Sequence, residues 1–285
     1  MSGSHGQAGV LLVDIGNTRI KWARWHAGRL VRTGAAAYRD WSSEDFARHL
    51  FRQPGAKRAW RPERIIVASV ADTGVLRRLA AGARRAHPAG ASPSSPRRTS
   101  TPAVELIETS RRAAGVVTRY AEPWRLGVDR FLAVIAAHHL AGSRGACVIN
   151  AGTAVTLDLV DGHGVHRGGA ILPGPRLMME SLLRETAGIA RRARVSSRGG
   201  AASRSMALFA RDTAAAIEQG AVHAVAGAVE RAIAASRQQL GGATPLVILT
   251  GGGAAELRRL LRVRCIEAPD LVLRGIALHA GLALR

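Results

Sequence analysis

One arrangement of residues occurs twice in this 285-residue chain, and it limits the fold more than any other feature. LLVDIGNTRIKW, residues 11–22, is an apolar run that stops at an acid, turns through Gly16 and Thr18, and resumes as an alternating strand. CVINAGTAVTLDLVD, residues 147–161, repeats the plan with Asn150, Gly152 and Thr153 where the first copy has Asp14, Gly16 and Thr18. Hairpins followed by alternating helix and strand, twice over, predict an α/β protein of two related halves. The boundaries read as 9–124 and 125–285, with an irregular Pro- and Ser-rich surface loop at 86–103.

Local signals fill in the halves. RIKWARW, residues 19–25, alternates as a hairpin partner, with a turn at Ala27-Gly28. Residues 42–51 carry a Ser cap, early acids and helical apolar spacing, and RIIVASV, 64–70, reads as a buried strand before a helix. In the second half, strands are expected at ACVINAG, TAVTLDLVD, VHRGGAILPG and PLVILT. Helices are expected over 175–189, 211–238, AAELRRLL and the final apolar segment, and a loop at 197–205.

Composition excludes several classes. No run of 18 uncharged apolar residues exists, so no transmembrane helix is expected, and the N-terminus lacks the basic and apolar regions of a signal peptide. Cys147 and Cys265 lie far apart without metal spacing, which fits buried thiols in a reducing compartment. The formal charge is +21, carried almost wholly by scattered arginines. With aromatics at 4%, this reads as a solvated surface with non-specific attraction for nucleic acid at low salt.

Four segments carry chemistry. The turns at Asp14–Thr18 and Asn150–Thr153 expose backbone N–H groups beside a glycine and hydroxyls. Each alone is an ordinary hairpin turn; facing one another, they would clamp nucleotide phosphates, with the acid at the strand end holding Mg²⁺. LTGGGAAEL is either a plain strand-to-helix turn or a close approach to a base, ribose or phosphate. In LGVDR, Asp129 and Arg130 sit where a loop enters an apolar helix. Asp129 is either an acid favoured by the helix dipole or the acceptor of a substrate hydroxyl proton beside a carboxylate-binding arginine. The P-loop and protein-kinase signatures are absent. His138 and His139 are consecutive on a helix and cannot face one metal; His163 and His166 have no assigned role.

DIGNTRIKW, YAEPWRLGVDR, AGTAVTLDLV, GGAILPG and TGGG, in this order, resemble the type III pantothenate kinases, the family that includes the Bvg accessory factors. The likeness spans about residues 10–284, and LGxDR with GTAxT is its distinctive part. It implies the duplicated actin-like ATPase fold of the acetate and sugar kinase, Hsc70 and actin superfamily. It also implies ATP-dependent phosphorylation of pantothenate, the first step of coenzyme A synthesis, in a cytoplasmic homodimer.

By the same resemblance, Asp14, Ile15, Gly16, Asn17, Thr18, Arg19, Ile20 and Lys21 bind the ATP phosphates, Asp14 lies near Mg²⁺, and Thr153 contacts ATP. Tyr120, Gly127, Val128, Asp129 and Arg130 bind pantothenate, with Asp129 as proton acceptor, and Thr186 matches a substrate-contacting threonine. Many members have an acid at the position of Asn150, where it ligates K⁺ or NH₄⁺; an amide carbonyl ligates without the charge. The alternative is a regulatory or accessory protein that keeps the nucleotide fold and binds nucleic acid or a transcription partner.

Overall fold

A computed structural model describes residues 9–52, 60–87, 102–196 and 207–284. Most of the segment expected as a loop at 86–103, and all of that at 197–205, lie outside these residues. Contacts group the chain into two compact units. The first is Met1–Ala114 with Tyr120–Ala136 and Val272–Arg285; the second is Gly115–Arg119 with Ala137–Leu271. The boundary drawn at 124/125 follows the sequence repeat, whereas these units follow packing.

In the first unit, β1 (Val10–Ile15), β2 (Arg19–His26) and β3 (Arg29–Ala37) form an antiparallel meander. Ala27 and Gly28 both take positive φ in the β2–β3 turn, the requirement for a two-residue hairpin that matches strand twist. A capping box closes between Ser42 and Asp45 and starts α1 (Ser43–Phe46), but the expected helix continues only as a π-helical turn, Ala47–Phe51. Then β4 (Arg64–Ser69) lies parallel to β1, and α2 (Thr73–Ala86), capped by Asp72, leads towards β5 (Ala103–Leu106), parallel to β4. The sheet order is β3-β2-β1-β4-β5. Every residue of β1 is buried, which fits the unbroken apolar run of residues 10–13 ahead of Asp14. Leu11, Val13 and Ile15 pack with Phe46, Phe51 and Leu79 on one face.

After two short strands, β6 (Arg112–Ala113) and β7 (Val116–Thr118), comes α3 (Val128–Ala141). The second meander is β8 (Ala146–Ala151), β9 (Ala154–Val160) and β10 (Val165–Pro173). The helix expected over 175–189 is two helices, α4 (Pro175–Glu185) and α5 (Ala187–Ser196). The break falls at Thr186, whose hydroxyl donates to the Leu182 carbonyl at 2.6 Å while its backbone leaves the helical region.

Beyond these lie α6 (Thr213–Gln239), β11 (Leu246–Thr250), α7 (Ala254–Leu260), β12 (Ile266–Glu267) and α8 (Leu271–His279). The strand order β10-β9-β8-β11-β12 reproduces the order of the first sheet, with β11 parallel to β8 and β12 parallel to β11. β7 pairs with the other edge of β10. Here Val225, Val229 and Ile233 of α6 pack on Cys147, Ile149 and Leu157. The duplicated α/β fold expected from the sequence is present. Among the described residues no helix is long and apolar enough to cross a membrane, and both cysteines are free.

His166 has a structural place. It is fully buried on β10, its Nε2 2.9 Å from Oδ1 of the buried Asp158 on β9 and its Nδ1 3.4 Å from the Thr118 hydroxyl on β7. A buried carboxyl that loses its partner is costly. His166→Phe is expected to lower unfolding free energy by about 3 kcal/mol. A urea titration checks this, and an unchanged midpoint would show that the pair contributes nothing.

Candidate active site

Asp14 is the fifth residue of β1 and stands opposite Lys21 in the β1–β2 ladder. Side chains alternate along a strand, so with Val13 and Ile15 in the core cluster, Asp14 lies on the other face. It is 8% exposed. Burial pushes its carboxyl from an ordinary 3.8 up to about 7; the Lys21 ammonium pulls it down, and the nearby Asp129 adds to the rise. Ile15 and Ile20 are wholly buried, so within the 14–21 segment their side chains hold the turn to the core.

The turn itself closes through the Gly16 amide, which donates to the Arg19 carbonyl at 3.0 Å. Arg19 is exposed, as are Asn17 and Thr18. Tyr38, just after β3, donates its hydroxyl to the Gly16 carbonyl at 2.6 Å.

Asp129 belongs to the same unit, in the first turn of α3. The Gly127 carbonyl takes the first helical bond, from the Phe131 amide at 3.0 Å, and the Arg130 amide donates to Asp129 Oδ1 at 2.8 Å. A Cβ at Gly127 would sit 2.9 Å from that oxygen, so the glycine leaves room for the carboxylate. Val128 and Arg130 are buried, and Arg130 donates to the Tyr120 hydroxyl at 3.2 Å. Arg111 grips the preceding loop through the carbonyls of Tyr120 and Ala121. Thr109 holds the Leu126 carbonyl at 2.8 Å. On α8, a Cβ at Gly275 would lie 2.1 Å from the Leu132 carbonyl, so only glycine lets α8 rest directly on α3.

In the second unit, Asn150 is the fifth residue of β8, as Asp14 is of β1. The Gly152 amide donates to the Ala154 carbonyl at 3.1 Å, and a Cβ on Gly16 or Gly152 would meet its turn carbonyl at 3.3 Å in either copy. Two further glycines brace this turn. The Gly174 amide, at the start of α4, donates to the Thr153 carbonyl at 2.9 Å. Gly251, at φ +91°, lies so close that a Cβ would be 2.6 Å from Asn150 Oδ1 and 2.4 Å from the Ala151 carbonyl. Thus the TGGG segment and the GTA turn, separate in sequence, form one structure. Thr186 also belongs to this unit, at the end of α4.

The structure therefore brings Asp14, Lys21 and Asp129 within electrostatic reach, and Tyr120 and Arg130 into contact, and it joins Asn150 and Thr153 to the glycine turn. Tyr38, Thr109, Arg111 and Gly275 went unmarked in the sequence; their partners are distant along the chain. The one signal for Tyr38 was rarity, since the chain has two tyrosines.

A raised carboxyl has a definite pH consequence. Between its ordinary value and about 7, folded Asp14 keeps a proton that the unfolded chain releases, so stability falls as pH rises through that window. Asp14→Asn is expected to raise the Tm of the nucleotide-free protein at pH 8, with the gap closing towards pH 5. Thermal unfolding at both values checks this, and a lower Tm at pH 8 would mean that attraction to Lys21 outweighs burial.

Residues 10–235 match the family model described as type III pantothenate kinase. A type III pantothenate kinase of Alkalilimnicola ehrlichii is 38% identical over 269 residues, covering 94% of this chain and 96% of that one. One from Halorhodospira halophila is 38% identical over 275 residues, covering 93% and 95%. Among solved structures, ethanolamine utilization protein EutJ from Carboxydothermus hydrogenoformans gives a TM-score of 0.50 at 14% identity, covering 98% of this chain and 92% of that one, a likeness of fold alone. With full-length relatives at such identity and a family match across most of its length, the chain belongs to the type III pantothenate kinase family.

Proposed function

We propose that this protein transfers the γ-phosphoryl group of ATP to the primary hydroxyl of pantothenate, giving 4′-phosphopantothenate in the first step of coenzyme A synthesis. Beyond family membership, the observation that carries this reading is Asp129, fixed by the Arg130 amide at the head of α3 near the buried Asp14. Asp129 accepts the hydroxyl proton as the new O–P bond forms, and ADP leaves as the bond to the β-phosphate oxygen breaks. The loose transition state needs orientation more than a strong base. Arg130, positioned against Tyr120, holds the pantothenate carboxylate, with Gly127 and Val128 shaping that end. Thr186 offers its hydroxyl to the same substrate. The Asp14–Lys21 segment and Thr153 hold the triphosphate through backbone amides, hydroxyls and the Lys21 charge.

Asp14 is the residue that would hold Mg²⁺. A buried acid pushed up to about 7 is suited to a cation that returns it to the charged form. Among the described residues no group of three or more His, Cys, Asp or Glu could hold a metal, which suits an ion ligated by one carboxylate, waters and phosphates. When bound, Mg²⁺ neutralises charge on the phosphate oxygens. Asn150 offers a neutral carbonyl oxygen to K⁺ or NH₄⁺, so the cation requirement is weakened while the phosphate turn stays intact. The +21 charge calls for no nucleic-acid partner beyond non-specific attraction, and a cytoplasmic setting belongs to the same reading.

Homodimerisation through the second unit is supported by exposed apolar side chains on β10 and α4: Ile171 at 63%, with Leu177, Leu182 and Leu183.

Asp129→Asn is expected to lower pantothenate-dependent ADP release at least about 100-fold with little change in Tm. Wild-type turnover in that variant would remove the proton acceptor from the mechanism. In the parent, rates in K⁺ and Na⁺ buffers should differ by less than about threefold; strict K⁺ dependence would show that the amide is a full cation ligand. Ile171→Arg should shift the sedimentation coefficient from dimer to monomer, and a parent that sediments as a monomer would end the dimer reading.

A further inference from the structure

We infer that Tyr38 is a positioning residue for the nucleotide: its hydroxyl sets the direction of the Asn17 amide in the first phosphate turn. The inference rests on the reading of that turn as a phosphate site. Tyr38 is 4% exposed and belongs to the core cluster with Ile15 and Ile20. Its hydroxyl reaches out of that core to the Gly16 carbonyl at 2.6 Å. Burial pushes the hydroxyl above its ordinary range, with Asp72 adding to the rise, so it remains a donor across neutral pH.

The Gly16–Asn17 peptide is planar and trans. Its N–H must then point opposite to its carbonyl. Tyr38 pulls that carbonyl towards the core, so the Asn17 N–H is directed away from the core cluster. Among the described residues no protein group accepts from the Asn17 amide. A free, oriented donor next to Gly16 is what an anion-binding turn supplies. Glycine tolerates many backbone angles, so without the Tyr38 anchor this peptide could rotate and turn its carbonyl towards the phosphate. The tyrosine thus fixes which pole of the peptide dipole the ligand meets. In the second unit the Gly174 amide, bonded to the Thr153 carbonyl, anchors the matching turn by a backbone route.

The test is Tyr38→Phe, which keeps the ring in the core and deletes only the hydroxyl. Binding of AMPPNP with Mg²⁺ is measured by titration calorimetry, together with KM for ATP and for pantothenate and with Tm. The expected result is AMPPNP binding and KM for ATP weakened about three- to tenfold, the scale of one hydrogen bond, with KM for pantothenate within about twofold of the parent. Unchanged AMPPNP affinity would overturn the inference. So would a parallel loss in both KM values together with a large fall in Tm, which would make the hydroxyl merely structural. Lys21→Ala separates this from the underlying reading. If Lys21→Ala weakens AMPPNP binding and Tyr38→Phe does not, only the role of Tyr38 fails. If neither variant weakens binding, the turn is not the phosphate site.

Discussion

The central strand of the first sheet, β1, is buried along its length, and a polar side chain at its fifth position is therefore held in a poor place for charge. In β1 that residue is Asp14. Its carboxyl rises to about 7 because desolvation outweighs the attraction of Lys21 across the ladder. The strand cannot end earlier without opening the core that Leu11, Val13 and Ile15 make with the helices behind them. The acid is tolerated rather than favoured in the free protein, and a buried carboxyl so strongly perturbed is a recognisable mark of a functional site.

The remaining parts of the first unit bring a second acid towards this one under control. Asp129 sits in the first turn of α3, where its carboxylate accepts from the Arg130 amide. Its position depends on α3, and α3 is backed by α8 at a crossing so close that Gly275 touches the Leu132 backbone. Glycine thereby serves two purposes: flexibility in the two hairpin turns, and closeness at Gly127 and Gly275, where a Cβ would collide with a carboxylate or a carbonyl.

Much of this was legible in the sequence because it is local. Apolar runs marked β1, β4, β8 and β11; the Ser cap and early acids at 42–51 marked a helix start; the repeated turn marked the duplication. What was hidden depends on contacts between distant segments or on elements too short to show a period. β6, β7 and β12 have two or three residues each, too few for alternation. The Thr186 break is a single side-chain bond inside a helical pattern. His166 gave no sign of its partner, because Asp158 and Thr118 are brought to it only by strand pairing. Tyr38 has no local signal, because its partner, the Gly16 carbonyl, lies 22 residues away.

The two halves share a scaffold and differ in charge at one matched position. An acid at 150 would place a second carboxylate at the end of another buried strand, against the carbonyl of Ala151 and the backbone of Gly251. Such a group would be pushed up as Asp14 is, unless a cation accompanied it. An amide has no charge to neutralise. Its Oδ1 still lies against the Gly251 backbone, and the Gly152 and Gly253 amides still find their carbonyl partners. The second hairpin turn is therefore held by amide and backbone contacts without a second buried charge. Duplication supplied two equivalent turns; the acid kept in the first carries the cost of burial, and the amide in the second leaves a neutral turn braced by backbone contacts.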